Sequence, residues 1–286
     1  MRLVTYRSAT GPRVAGLRDE GLVDLHQADP AVPHCVKTLL GQGREGLARA
    51  AAALKRGEVV PLSRVELLPP VPKPEKVICV GLNYADHARE GGMDPPAEPV
   101  FFSKFTTAVS AHERPIVLPK ASSKVDYEAE LVVVIGRGGR HIPVESAREH
   151  IAAYCCGNDV SARDWQLHKP GGQWLLGKSF DGFAPFGPAL VTADEVPSPG
   201  NLRIQLRLNG RVMQDSSTAQ FIFPMEKLVS YVSTVCTLSP GDVLFTGTPP
   251  GVGFARRPPV FLQPGDVVEV EIESLGVLRN PVVAEA

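Results

Sequence analysis

The chain has almost no excess charge: 30 Lys and Arg stand against 31 Asp and Glu in 286 residues, a formal charge of −1. A nucleic-acid partner held by electrostatics needs a basic face, so that class is excluded. Long hydrophobic runs are also missing. The densest, Leu131 to Ile135, is strand-length, far short of the roughly 18 apolar residues that cross a bilayer, and no membrane partner is expected. The opening MRLVTYRSAT lacks the apolar stretch of a secretory signal, and Asp19 and Glu20 argue against a transit peptide. Cysteine is sparse and odd in number. Cys35, Cys79, Cys155, Cys156 and Cys236 form no CxxC, which excludes a disulfide scaffold and a zinc ribbon. The expectation is a cytoplasmic protein of a reducing compartment, with the mitochondrial matrix as the alternative for a eukaryotic source.

Turn residues, by contrast, are plentiful. The 27 Gly and 27 Pro are spread along the chain as punctuation, which predicts many short strands. Leu3 to Tyr6, Val14 to Leu17 and Leu22 to Leu25 read as a small antiparallel meander. Leu47, Ala50, Ala51 and Leu54 recur at helical spacing and Gly57 stops the helix. The proline-dense LLPPVPKPEK at 67–76 can be neither helix nor interior strand, so a boundary falls there: a small N-terminal domain, 1–70, and a larger one, 71–286. Beyond it, Asn209-Gly210 turns Leu202 to Leu208 into Arg211 to Gln214, and Met225, Leu228, Val229 and Val232 mark a helix. Strands without regular βαβ alternation predict an α+β, sheet-dominated fold.

The segment VDYEAELVVVIG carries the most chemistry. In a strand, Asp126, Glu128 and Glu130 point the same way. Carboxylates so placed beside an apolar run repel one another, and their desolvation is costly unless a hard oxygen-seeking cation such as Mg²⁺ or Mn²⁺ intervenes. Spacing alone favours a solvated acidic face, because Glu269, Glu271 and Glu273 repeat the same alternation. Asp159, in GNDVSARDWQ, stands at a strand end where it could add a ligand or merely cap a helix, and Arg163 could offer its fork to a carboxylate. Residues 172–179, GQWLLGKS, match the phosphate-loop pattern by letter. The match is rejected because Gly182, Pro185, Gly187 and Pro188 forbid the helix that must follow. Lys178 is then a lone cation, at the surface or near an anionic ligand. His87 and Glu90, three apart on a short helix, form a surface pair or a base that activates water. The loop around Thr248, TGTPPGVG, offers backbone amides and hydroxyls but no nucleotide-loop lysine.

Taken in order, GLNYADHARE, VDYEAELVVVIG, GNDVSARDWQ, GKSFD, NGRVMQDSSTAQFIF and GDVLFTGTPPGVG resemble the fumarylacetoacetate hydrolase family, closest to its domain-containing-2 branch. The resemblance covers residues from about 75 to the end. It implies a mixed β-sandwich roll, usually a homodimer, in which Glu128, Glu130 and Asp159 bind Mg²⁺ or Mn²⁺. It further implies that Lys178 approaches the substrate oxygens, that Arg163, Gln166 and Thr248 contact the substrate, and that His87 and Glu90 form the pair on a lid helix. The function expected from it is oxaloacetate keto–enol tautomerisation through a metal-bound enolate of a small 2-oxo acid. Acylpyruvate-type C–C hydrolysis, oxaloacetate decarboxylation and a non-catalytic metal-binding scaffold are the alternatives.

Overall fold

A computed structural model describes all residues of the chain except Gly91, Gly92 and Met93, and the side chains of His87, Ala88 and Glu90 also lie outside the described set. A 12-stranded mixed sheet dominates. Its central order is Arg2–Ser8, Ala184–Thr192, Ile151–Asn158, Ala129–Ile135, Val243–Phe245, Val77–Gly81 and Val100–Lys104. Gly11–Arg18, Gly21–Asp24 and Val60–Pro61 extend it beyond Arg2–Ser8. A second sheet of five strands runs Arg211–Ser217, Arg203–Leu208, Val267–Ile272, Gly276–Ala284 and Ile116–Leu118.

The patterns read from the sequence explain where each strand sits. Every residue of Ala129–Ile135 is buried, as expected of an uninterrupted β-branched run with protein on both faces. Val267–Ile272 instead alternates: Val268, Val270 and Ile272 are each 1 % exposed, while its glutamates face outward. These inward side chains join Ile204, Leu206 and Leu278 in one core with Leu131, Val133 and Tyr154, so the two sheets pack face to face. The Asn209-Gly210 hairpin forms as predicted, with φ of 53° and 78° at the two turn residues. The helix Met225–Val235 buries Met225, Leu228, Val229 and Val232. The α+β, sheet-dominated expectation holds.

Residues 1–70 form the predicted meander and a helix, Gly43–Arg56 capped by Gly57. Their strands continue the larger sheet, because Arg2–Ser8 pairs with Ala184–Thr192 at Arg2↔Val191 and Leu3↔Leu190. Leu3 and Val14 lie in the same core as Val132 and Leu244. No helix among the described residues is long and apolar enough to cross a membrane.

Candidate metal centre

The cage is built where two neighbouring strands end. Ala129–Ile135 pairs with Ile151–Asn158 in a register that sets Ala129 opposite Asn158 and Glu130 opposite Gly157. The chain is stitched just outside that ladder: Asn158 Oδ1 accepts from Glu128 N at 2.9 Å, and Asp159 N donates to the Glu128 carbonyl at 2.9 Å. Glu128, Glu130 and Asp159 are thereby brought together, with one carboxylate oxygen from each lying within 4.8 Å of the others. All three are buried, Asp159 completely.

Two lysines and an arginine close around them. Lys178 Nζ donates to Glu128 Oε2 at 2.9 Å, Asp159 Oδ2 at 2.8 Å and Ser161 Oγ at 2.8 Å. Arg163 reaches Glu128 Oε1 at 2.7 Å and Asp126 Oδ2 at 2.9 Å, and donates to Gln166 Oε1 at 2.9 Å across one turn of its helix Arg163–His168. Lys104 Nζ pairs with Asp159 Oδ1 at 2.6 Å and donates to the carbonyls of Val160, Lys178 and Phe183. Four buried carboxylates thus meet three buried cations.

That balance divides the carboxylates. Burial would raise the Glu128 carboxyl, but Lys178 and Arg163 outweigh it and hold Glu128 down at about 2. Glu130 goes the other way: burial, then the Asp159 and Glu128 charges, push it well above the usual carboxylate range. Among the described residues Glu130 accepts one hydrogen bond, from Gly247 N at 2.8 Å. A buried carboxylate so poorly satisfied, in a set made only of oxygens, fits a hard divalent cation. The acidic alternation at Glu269–Glu273 is instead partly or fully exposed, with Arg207 paired to Glu269 and Glu271 at the surface.

Sequence reasoning singles out neither Lys104 nor Gln214, whereas Asp126 is read with Glu128 and Glu130 from their shared strand face. Asp126 is no ligand: its two oxygens accept from the N–H groups of Tyr127, Gly253 and Phe254 as well as from Arg163. Gln214 accepts from Ala129 N and donates to Thr248 Oγ1, fixing the glycine loop against the cage. Lys104 shares a strand face with Phe102 at the end of FFSK, a weak signal for an inward lysine.

The cage forms the floor of a cavity of about 510 Å³. Arg163, Gln166, Lys178 and Thr248 line it beside Glu128 and Glu130, and Leu82, Phe102, Trp174 and Phe254 supply apolar wall. Leu82 holds a left-handed φ of 55°, secured by Asn83, whose Nδ2 donates to the carbonyls of Thr246 and Phe223. The short helix expected to carry His87 and Glu90 is present as Ala85–Glu90, but the side chains of His87 and Glu90 lie outside the described residues.

Residues 76–283 match the family model described as fumarylacetoacetate (FAA) hydrolase C-terminal. The chain belongs to the fumarylacetoacetate hydrolase family. It is an enzyme of that family, and its likeness runs nearly end to end. It is 47% identical over 288 residues to "Oxaloacetate tautomerase fahd2, mitochondrial" of Xenopus laevis, covering 99% of this chain and 90% of that one. The structure matches a putative HpcE protein from Mycobacterium smegmatis with a TM-score of 0.89, 39% identity and 100% of both chains covered. It also matches maleylpyruvate hydrolase from Sphingobium sp. SYK-6, crystallised with manganese(II) and pyruvate, with a TM-score of 0.83, 30% identity and 100% of both chains. Together with the acidic triad, the family supports a divalent metal as cofactor. The cytoplasmic expectation is overturned, because the Xenopus relative is named as a mitochondrial protein. A transit-peptide argument drawn from two acidic residues is too slight to set against that.

Proposed function

We propose that the chain interconverts the keto and enol forms of oxaloacetate at a divalent ion held by Glu128, Glu130 and Asp159. The observation that carries this reading is the buried oxygen triad with Lys178 and Arg163 at its edge, on the floor of a cavity open to a small ligand. The name of the Xenopus relative supports the substrate. Mg²⁺ and Mn²⁺ are the ions proposed, the latter supported by the manganese complex of maleylpyruvate hydrolase.

When bound, the ion supplies Lewis-acid stabilisation of the negative charge that builds on the 2-oxo oxygen as a C3 proton leaves. The C3 proton passes to water and water returns one to the 2-oxo oxygen, while the protein's own groups bind and orient the substrate. Lys178 is kept charged, because Asp159 and Glu128 outweigh the burial that would lower its pKa, and it offers N–H groups to substrate oxygens beside the cage. Arg163 is stretched between Asp126 and Glu128 with the Phe254 ring 4.4 Å from its guanidinium carbon, so the direction of its remaining in-plane N–H groups is fixed. Gln166 and Thr248 are the remaining polar contacts proposed for the substrate. With all groups ionised, the seven buried charges leave the cluster at minus one, which a divalent ion turns to plus one. That sign favours an anionic ligand. The i, i+3 spacing of His87 and Glu90 on Ala85–Glu90 favours, as a second reading, water-mediated C–C hydrolysis of acylpyruvates. A homodimer also belongs to the proposal, supported by the exposed Val117 and Val283 paired at the edge of the five-stranded sheet.

The test is to follow the enol absorbance of oxaloacetate with Mg²⁺, and pyruvate release and acylpyruvate cleavage in parallel. Glu128→Ala is expected to lower turnover by at least about 100-fold and to remove the rise in melting temperature that the ion gives wild type. Undiminished turnover in a chelator would sink the metal reading. His87→Ala separates the two chemistries, since it removes hydrolysis and spares tautomerisation.

A further inference from the structure

Two adjacent arginines at the cavity rim have opposite fates. Arg256 is spent on backbone: its Nη2 donates to the Met213 carbonyl and its Nε to the Gly251 carbonyl. Arg257 lines the cavity and is exposed. Its one hydrogen bond is Nη1 to the Arg256 carbonyl at 3.2 Å, and it has no carboxylate partner among the described residues. The other two cations lining the cavity, Arg163 and Lys178, are both ion-paired to cage carboxylates. Among the described residues, Arg257 is therefore the cavity-lining cation with no carboxylate beside it.

The rim that carries it is held in place. Gly253 N and Phe254 N donate to Asp126 at 2.8 and 3.1 Å, and Val260 N donates back to the Gly253 carbonyl at 3.0 Å. Asp126 in turn holds Arg163, so the rim and the cage share an anchor. Between floor and rim the wall is apolar at Leu82, Phe102, Trp174 and Phe254. Arg257 lines the same cavity as Glu128 and Glu130, so a ligand bound at the cage that carries a second negative group towards the rim would find an uncommitted cation there, and an uncharged tail would not.

We propose that Arg257 is a specificity residue that receives the distal carboxylate of the substrate, so that the site prefers 2-oxo diacids to 2-oxo acids with a neutral tail. The proposal rests on the tautomerase reading above and names its substrate class. It is tested on the Mg²⁺-loaded full chain with Arg257→Gln. The KM for oxaloacetate is expected to rise about tenfold, the scale of one charge-assisted hydrogen-bonded pair, with kcat little changed. The KM for acetylpyruvate, which enolises but has no distal carboxylate, stays as in wild type. Arg257→Lys recovers part of the loss. An unchanged KM for oxaloacetate, or an equal rise for both substrates, overturns the proposal. Should wild type prove inactive on oxaloacetate, the tautomerase reading fails separately and calorimetric titration decides the role of Arg257. L-malate, a diacid, must then bind wild type and lose about tenfold in Arg257→Gln, while oxalate binds both alike. Failure of L-malate to bind wild type, or equal loss of both ligands, overturns it too.

Discussion

Glu130 shows at the residue scale how one carboxylate can be both a flaw and a function. Its folded-state pKa lies above the unfolded one, raised by burial and by Asp159 and Glu128. Its contribution to stability is thus fully present below the unfolded value and is lost as pH rises through the folded one. Glu130→Gln keeps an oxygen for Gly247 N and removes the charge. In chelator the variant is expected to melt at or above wild type, with a gap that widens as pH rises above the ordinary carboxylate range. With Mg²⁺ the order reverses, because the ion stabilises wild type alone. Thermal melts across pH, with and without the ion, check both halves, and a gap in chelator that is flat with pH contradicts them. The same residue marks a limit of sequence reading. Asp126, Glu128 and Glu130 alternate just as Glu269, Glu271 and Glu273 do, and only the second set is solvated. What separates them is Asp159, Lys178 and Lys104, contributed from elsewhere in the chain, and no local pattern encodes such a meeting.

At the scale of elements, Gly177 explains why residues 172–179 imitate a phosphate loop. The one-turn helix Trp174–Gly177 presses against the helix Arg163–His168, and a Cβ on Gly177 would sit 2.6 Å from Gln166 N and 2.8 Å from its Cα. The glycine is there for close backbone approach, and the lysine after it is aimed at the cage. Gly177→Ala must part the two helices, which is expected to cost about 1–3 kcal/mol and to draw Lys178 off Glu128 and Asp159. Denaturant unfolding measures the first effect. The second shows as a fall in kcat that excess Mg²⁺ does not restore. Strands and hairpins were legible because alternation, β-branching and Asn-Gly chemistry act over a few residues. The helix Ala85–Glu90 was legible too, from the Gly91-Gly92 that follows it.

For the whole molecule, the proline-dense segment at 67–76 is visible in the sequence, but the pairing of Arg2–Ser8 with Ala184–Thr192 is not, since it joins residues nearly two hundred positions apart. We propose that 1–70 and 71–286, though separable in sequence, unfold together, because Leu3 and Val14 share a core with Val132 and Leu244. Calorimetry is expected to give one transition, lowered by chelator without splitting; two separated transitions would count against it. The cage itself sits at the ends of two strands buried along their whole length, Ala129–Ile135 and Ile151–Asn158, whereas much of the cavity wall is drawn from the segments around Leu82, Trp174 and Arg257. Reactivity and selectivity are thus assigned to different parts of the architecture. The mouth can be rewritten by insertion or substitution while the reactive floor stays untouched, and one framework can be retargeted from one acid to another without reinventing its chemistry.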